Sequence, residues 1–133
     1  MVLFTNKIIK SMKKILFVED ELALQKGFEE IIKEEGYEII SALDGEGGLK
    51  LAQSQKPDLI LLDLILPKME GIEVLKRLKE NETTKNIPVI VLTHVEDLEK
   101  VEKAIELGAQ AYLVKAEYSL EEIKNKIKKI LEK

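Results

Sequence analysis

The chain has no cysteine and no tryptophan, and only one histidine (His94) and three prolines among its 133 residues. Without cysteine there is no disulfide scaffold, no thiolate metal site and no thiol nucleophile. One histidine excludes a multi-histidine metal centre. No apolar run approaches the ~20 residues that a membrane-spanning helix needs. A basic field is missing as well: 21 basic residues against 25 acidic ones leave a net charge of −4, so nothing global attracts nucleic acid. Apolar residues make up 45% of the chain, enough for a core, and the length suits one domain. What remains is a small α/β or α domain whose chemistry must rest on carboxylates, hydroxyls and lysines.

Residues 1–12 carry Lys7 and Lys10 after the apolar Val2-Leu3-Phe4. A secretory signal places its charges before the apolar stretch. The order here is reversed, so the segment reads as an N-terminal extension, with Met12 as an alternative start, and a cytoplasmic location is expected. The domain itself is expected over residues 13–133.

Three short, branched apolar runs stand out: Ile15-Leu16-Phe17-Val18, Leu59-Ile60-Leu61-Leu62 and Val89-Ile90-Val91-Leu92. Such runs predict strands buried on both faces, as in a parallel sheet with helices on each side. Tyr37-Glu38-Ile39-Ile40-Ser41 is mixed, as an edge strand is, and Ala111-Tyr112-Leu113-Val114 is short enough for the other edge. Between them, Leu24, Phe28, Ile31 and Ile32 recur at helical spacing, and Gly36 follows where a helix C-cap wants glycine. Leu98, Val101 and Ile105 do the same before Gly108. Ile72, Leu75 and Leu78 mark a third helix, and Leu120, Ile123, Ile127 and Ile130 a last one. Ser119 with Glu122 forms a capping-box signal for that last helix. A weaker helix, about Glu46 to Ser54, starts poorly at Gly47-Gly48. Strands alternating with helices imply right-handed crossovers and an open doubly wound sheet. The flavodoxin-like order 2-1-3-4-5 fits best, because it puts the mixed and the short strand at the edges. Ligands in such sheets bind beyond the carboxyl ends of the strands, at the switch point between strands 1 and 3.

At those ends stand Glu19-Asp20 after strand 1, Asp63 after strand 3, Thr93 at strand 4 and Lys115 after strand 5. Carboxylates a few Å apart repel one another unless a hard cation lies between them, and an all-oxygen site with room for water suits Mg²⁺. A carboxylate such as Asp63 can attack phosphorus and form an aspartyl phosphate. The transferred phosphoryl group spreads charge over three oxygens, for which Mg²⁺, Lys115 and the Thr93 hydroxyl supply compensation. Singly, each residue has a structural reading: Asp63 a loop cap, Glu19 and Asp20 helix-start charges, Thr93 a residue before a helix, Lys115 a solvated lysine, Tyr112 a half-buried strand residue. The joint arrangement at four strand ends favours phosphoryl transfer.

With these residues the sequence resembles the receiver domain of two-component response regulators, particularly the stand-alone, chemotaxis-type kind, from about Lys13 to the C-terminus. The likeness rests on Ile15-Leu16-Phe17-Val18-Glu19-Asp20-Glu21, Pro57-Asp58-Leu59-Ile60-Leu61-Leu62-Asp63-Leu64, Leu66-Pro67-Lys68-Met69-Glu70-Gly71, Ile87-Pro88-Val89-Ile90-Val91-Leu92-Thr93 and Gly108-Ala109-Gln110-Ala111-Tyr112-Leu113-Val114-Lys115. The resemblance implies that Asp63 accepts a phosphoryl group from a phosphohistidine of a sensor kinase or histidine phosphotransfer protein. It implies Mg²⁺ on Asp20, Asp63 and the Ile65 carbonyl, with Glu19 acting through water. Lys115 would pair with phosphoryl oxygens, Thr93 would swing toward them, and Tyr112 would turn inward behind it. The implied protein is a switch rather than a turnover enzyme, monomeric or transiently dimeric, acting on a protein target and not on nucleic acid or membrane.

Two positions depart from the family pattern. Ala116 stands where proline usually follows the lysine, and a non-proline cis bond costs ~3 kcal/mol, so the bond is trans or strained. His94 replaces a usually small residue after Thr93, and reads either as an exposed loop histidine or as a group flanking the phosphorylation pocket. Alternatives of other classes are weaker. A degenerate receiver that binds partners constitutively does not need the full acidic set with Lys115. A haloacid-dehalogenase-type phosphatase needs a second aspartate where Ile65 stands. A flavodoxin needs a hydroxyl- and glycine-rich phosphate loop where this chain has Glu19-Asp20-Glu21.

Overall fold

This computed structural model describes residues 13–132, so the expected extension over residues 1–12 lies outside the described residues. The strands are β1 (Lys14–Val18), β2 (Glu38–Ala42), β3 (Leu59–Leu62), β4 (Val89–Thr93) and β5 (Ala111–Val114). The helices are α1 (Leu22–Glu34), α2 (Gly45–Gln55), α3 (Gly71–Glu80), α4 (Leu98–Glu106) and α5 (Leu120–Leu131). All strand pairs are parallel and the order is β2-β1-β3-β4-β5, the doubly wound flavodoxin-like sheet read from the sequence.

The period of two along each strand divides the core. On one face Leu16, Val18, Ile60, Leu62, Val89 and Val91 meet Ala52 of α2, Leu75 and Leu78 of α3, and Ala104 of α4. On the other, Ile15, Phe17, Leu59, Leu61, Ile90 and Leu92 meet Phe28 and Ile32 of α1 and Ile123 and Ile127 of α5. Phe17 and Phe28 pack edge to face, centroids 5.3 Å apart. Burial on both faces is why β1, β3 and β4 read as continuous apolar runs.

Helix ends follow local chemistry. Gly36 and Gly108 take φ of +88° and +105° just past α1 and α4, the left-handed geometry that closes a helix. Ser119 and Glu122 form the reciprocal capping box of α5. Helix α2 starts two residues before Gly47: the Asp44 side chain caps it by accepting from the Gly47 N–H at 2.7 Å. Its glycines serve close approach, since a Cβ on Gly48 would lie 2.9 Å from Val18. The stripe on α4 behaves differently from its spacing. Leu98 and Ile105 are 68% and 50% exposed, and Ala104 makes the buried contact. Periodicity marks the helix but cannot say which side of it the sheet covers.

Register carries the strand ends to one edge. Val18 lies opposite Leu62, Leu62 opposite Val91, and Thr93 opposite Val114. The residues that follow, Glu19, Asp63 and Lys115, therefore leave the sheet side by side.

Candidate functional site

Asp63 follows β3 directly and is 4% exposed. Its Oδ1 accepts from the Ile65 N–H at 3.2 Å and its Oδ2 from Lys115 Nζ at 2.9 Å. Lys115 enters from the end of β5, 52 residues away, in a short 3₁₀ turn over Lys115–Glu117. The Lys115–Ala116 bond is trans, and no cis peptide bond occurs among the described residues. Absence of proline thus leaves the lysine in reach of Asp63.

Glu19 is fully buried, and its Oε1 lies 2.6 Å from Lys115 Nζ. Its Oε2 accepts from the Glu21 N–H at 3.1 Å. Burial pushes the Glu19 carboxyl above its ordinary value of 4.5, with Lys115 and the Glu21 N–H pulling against that and Asp63 adding to it. Burial alone would pull the Lys115 ammonium down, but its bonds to Glu19 and Asp63 outweigh this and hold it above 10.5. Asp20, by contrast, is exposed. One carboxylate oxygen each from Glu19, Asp20 and Asp63 lies within 4.8 Å of the others. Three carboxylates against one ammonium leave a surplus of two negative charges. An all-oxygen donor set, open on the Asp20 side and short of charge +2, fits a hard divalent cation.

The raised Glu19 carboxyl has a stability consequence. An acid whose folded pKa lies above its unfolded value destabilises the fold above that window and ceases to do so as pH falls toward 4.5. In chelator, Glu19→Gln is therefore expected to raise the urea midpoint at neutral pH, with the gain shrinking near pH 4.5. A lower midpoint than wild type at neutral pH would show that the pair with Lys115 outweighs the burial of the charge.

Thr93 ends β4 and is fully buried, its Oγ1 accepting from the Val95 N–H at 3.4 Å. Tyr112 is half-buried on β5 and its hydroxyl donates to the Val95 carbonyl at 2.7 Å. Burial, with Asp97 and Asp63 nearby, pushes that phenol above its ordinary value. Both residues thus hold the same loop, residues 94–97, which joins β4 to α4. His94 is exposed and lines a cavity of about 400 Å³ with Glu21, Leu24, Lys115 and Tyr118. Ile65 is 61% exposed, its backbone N–H turned to Asp63.

Two further residues belong to the site although strand-end reasoning passed over them. Gln25 is buried and its Nε2 donates to the Glu19 carbonyl at 2.7 Å and the Ala42 carbonyl at 3.0 Å, fixing where the chain leaves β1 beside β2. The signal existed: Gln25 lies three and seven residues before Phe28 and Ile32, on the apolar face of α1. Glu21 reaches Lys115 Nζ at 3.5 Å.

Comparison with known proteins agrees with this geometry. Residues 15–128 match the model of the response regulator receiver domain. The chain is 36% identical over 119 residues to sporulation initiation phosphotransferase F of Bacillus subtilis, covering 90% of this chain and 94% of that protein. It is 42% identical over 120 residues to the alkaline phosphatase synthesis transcriptional regulatory protein PhoP of the same species, but spans only 48% of that protein's length. Among solved structures, the Mn(2+)-bound form of response regulator Rcp1 is 35% identical with a TM-score of 0.74, covering 90% of this chain and 91% of that one. A parallel sheet that brings Glu19, Asp20, Asp63 and Lys115 to one edge, matched by the family model over nearly its whole length, places this chain in the response regulator receiver domain family.

Proposed function

We propose that this chain is a phosphorylation switch in which Asp63 accepts a phosphoryl group from a phosphohistidine of a sensor kinase or histidine phosphotransfer protein. The observation that carries this reading is the buried Asp63 carboxylate, bonded to Lys115 at 2.9 Å and adjoining Glu19 and Asp20. Asp63 Oδ attacks phosphorus, the P–N bond of the donor breaks, and the imidazole nitrogen leaves with the electron pair. Return to the starting state is hydrolysis of the acyl phosphate by water. Catalysis here is positioning and charge compensation, not turnover of a substrate pool.

Receiver domains are signalling switches that bind Mg²⁺ at an acidic pocket. In this chain Asp20, Asp63 and the Ile65 carbonyl would hold the ion, with Glu19 acting beside them. When bound, Mg²⁺ supplies charge neutralisation for the phosphoryl oxygens. Lys115 supplies the second positive charge. Thr93 and Tyr112 are suited to transmission, because both already bond the 94–97 loop at Val95. A new charge on Asp63 biases that loop between two arrangements and reshapes the surface of α4, β5 and α5. Output is then contact with a protein target. Among the described residues no helix is long and apolar enough to cross a membrane, which fits a cytoplasmic site of action.

The direct test is intact mass after incubation with a small phosphodonor and Mg²⁺, with a labile gain of one phosphoryl group expected. Thr93→Ala separates chemistry from transmission. That variant should still take the phosphoryl group while the amide NMR signals of α4 and β5 stay near their unphosphorylated positions. A full wild-type shift in the variant would locate the switch elsewhere.

A further inference from the structure

Lys115 is shared among three carboxylates, and they are not equivalent. Its Nζ stands 2.6 Å from Glu19, 2.9 Å from Asp63 and 3.5 Å from Glu21. Glu19 and Asp63 are buried members of the candidate cation cluster, whereas Glu21 lies outside that cluster and is exposed. The ammonium is thus an internal cation already seated on two of the three carboxylates that a divalent ion would use. A divalent cation in this cluster and the ammonium beside it repel each other, so the lysine needs a second place to go. Glu21 is the one further carboxylate in ion-pair reach of Lys115 among the described residues.

The local structure frees Glu21 for that role. It occupies the N-cap of α1, where serine, threonine, aspartate or asparagine normally accept from the first helical N–H groups. Glu21 makes no such side-chain bond, and its carboxylate reaches instead to Lys115, 94 residues away. Its main chain is tied to the Glu19 carboxylate through the 3.1 Å bond from the Glu21 N–H. Lys115 and Glu21 also share the lining of the cavity of about 400 Å³, so the flexible ammonium has room to move.

We propose that Glu21 is a positioning residue that takes up the Lys115 ammonium when a divalent cation binds at Asp20 and Asp63 beside Glu19. The lysine then stays at the mouth of the site, beside the oxygen that receives phosphorus. This rests on the phosphoacceptor reading of the site, and the test keeps the two apart. Mg²⁺ affinity is measured by calorimetry on the full chain as wild type, Glu21→Gln, Glu21→Asp, Lys115→Met and the double variant Glu21→Gln/Lys115→Met. Glu21→Gln should weaken Mg²⁺ about fivefold in the wild-type background, a coupling typical of residues with a shared partner, and should have much less effect beside Lys115→Met. Glu21→Asp keeps the charge but shortens the reach, so it should weaken Mg²⁺ as Glu21→Gln does. Equal weakening in both lysine backgrounds, or wild-type affinity in Glu21→Asp, would reduce Glu21 to a distant negative charge and overturn the proposal. Absence of Mg²⁺ binding to the wild-type chain would overturn the cation site beneath it.

Discussion

Asp63→Asn is expected to abolish phosphoryl labelling of the chain. The substitution preserves shape, and the amide oxygen can still accept from the Ile65 N–H that now bonds Oδ1 at 3.2 Å. It removes the negative charge, and with it both the nucleophile and the ion pair that Lys115 makes at 2.9 Å. Glu19 and Asp20 remain, each with a carboxylate oxygen within 4.8 Å of one on Asp63, and offer an internal control. Glu19 is fully buried, with one oxygen 2.6 Å from the Lys115 ammonium and the other accepting from the Glu21 N–H, so it lies out of reach of a donor. Asp20 is exposed but is not bonded to Lys115. The measurement is intact mass after treatment with a small phosphodonor and Mg²⁺, with hydroxylamine to cleave any acyl phosphate. Wild type should gain one labile phosphoryl group and the variant none. Labelling of the variant at wild-type stoichiometry would move the acceptor to another residue and sink the proposed function.

Much of this site was legible because topology does the work of assembly. Once β1, β3, β4 and β5 are recognised as parallel neighbours, whatever follows each strand must emerge at the same edge, and Glu19, Asp20, Asp63, Thr93 and Lys115 can be read off in turn. The fold was legible for the same reason: Leu59-Ile60-Leu61-Leu62 has no polar face to leave exposed. What sequence could not supply was pairing between side chains. Nothing local says that Glu19, expected beside a cation and water, would bond Lys115 at 2.6 Å in the fold's interior. Nor does spacing reveal that Leu98 and Ile105 point away from the sheet, because an amphipathic stripe states that a helix has two sides and not which neighbour takes the apolar one. Gln25 lay between these cases. Its place on the apolar face of α1 was visible, but its two carbonyl partners, six and seventeen residues away, were not.

The other large effect is expected at Gly71, which opens α3 directly behind Asp63, the proposed phosphoacceptor. The Gly71 N–H donates to the Leu64 carbonyl at 2.9 Å, drawing the helix start against the loop that leaves β3. A Cβ at this position would lie 2.3 Å from the Asp63 carbonyl oxygen and 2.5 Å from Leu64 Cα. Both are backbone atoms in a strand-to-loop junction held by β1, since the Asp63 N–H donates to the Val18 carbonyl at 3.0 Å. No side-chain rotation can relieve such an overlap, so either α3 retreats or the Asp63 loop shifts. Gly71→Ala is accordingly expected to cost about 3 kcal/mol, the upper part of the range for overpacked sites, although alanine is the better helix former. Gly27, inside α1, supplies the contrast: a Cβ there meets only Leu120 Cδ1 at 3.8 Å, an ordinary contact. Gly27→Ala should therefore stabilise by about 0.5–1 kcal/mol. Urea unfolding of both variants beside wild type checks the pair, and phosphodonor labelling of Gly71→Ala should slow as the Asp63 carboxylate moves off Lys115. Wild-type stability and labelling in Gly71→Ala would mean that the junction between β3 and α3 yields without cost, and that the position of Asp63 does not depend on the helix behind it.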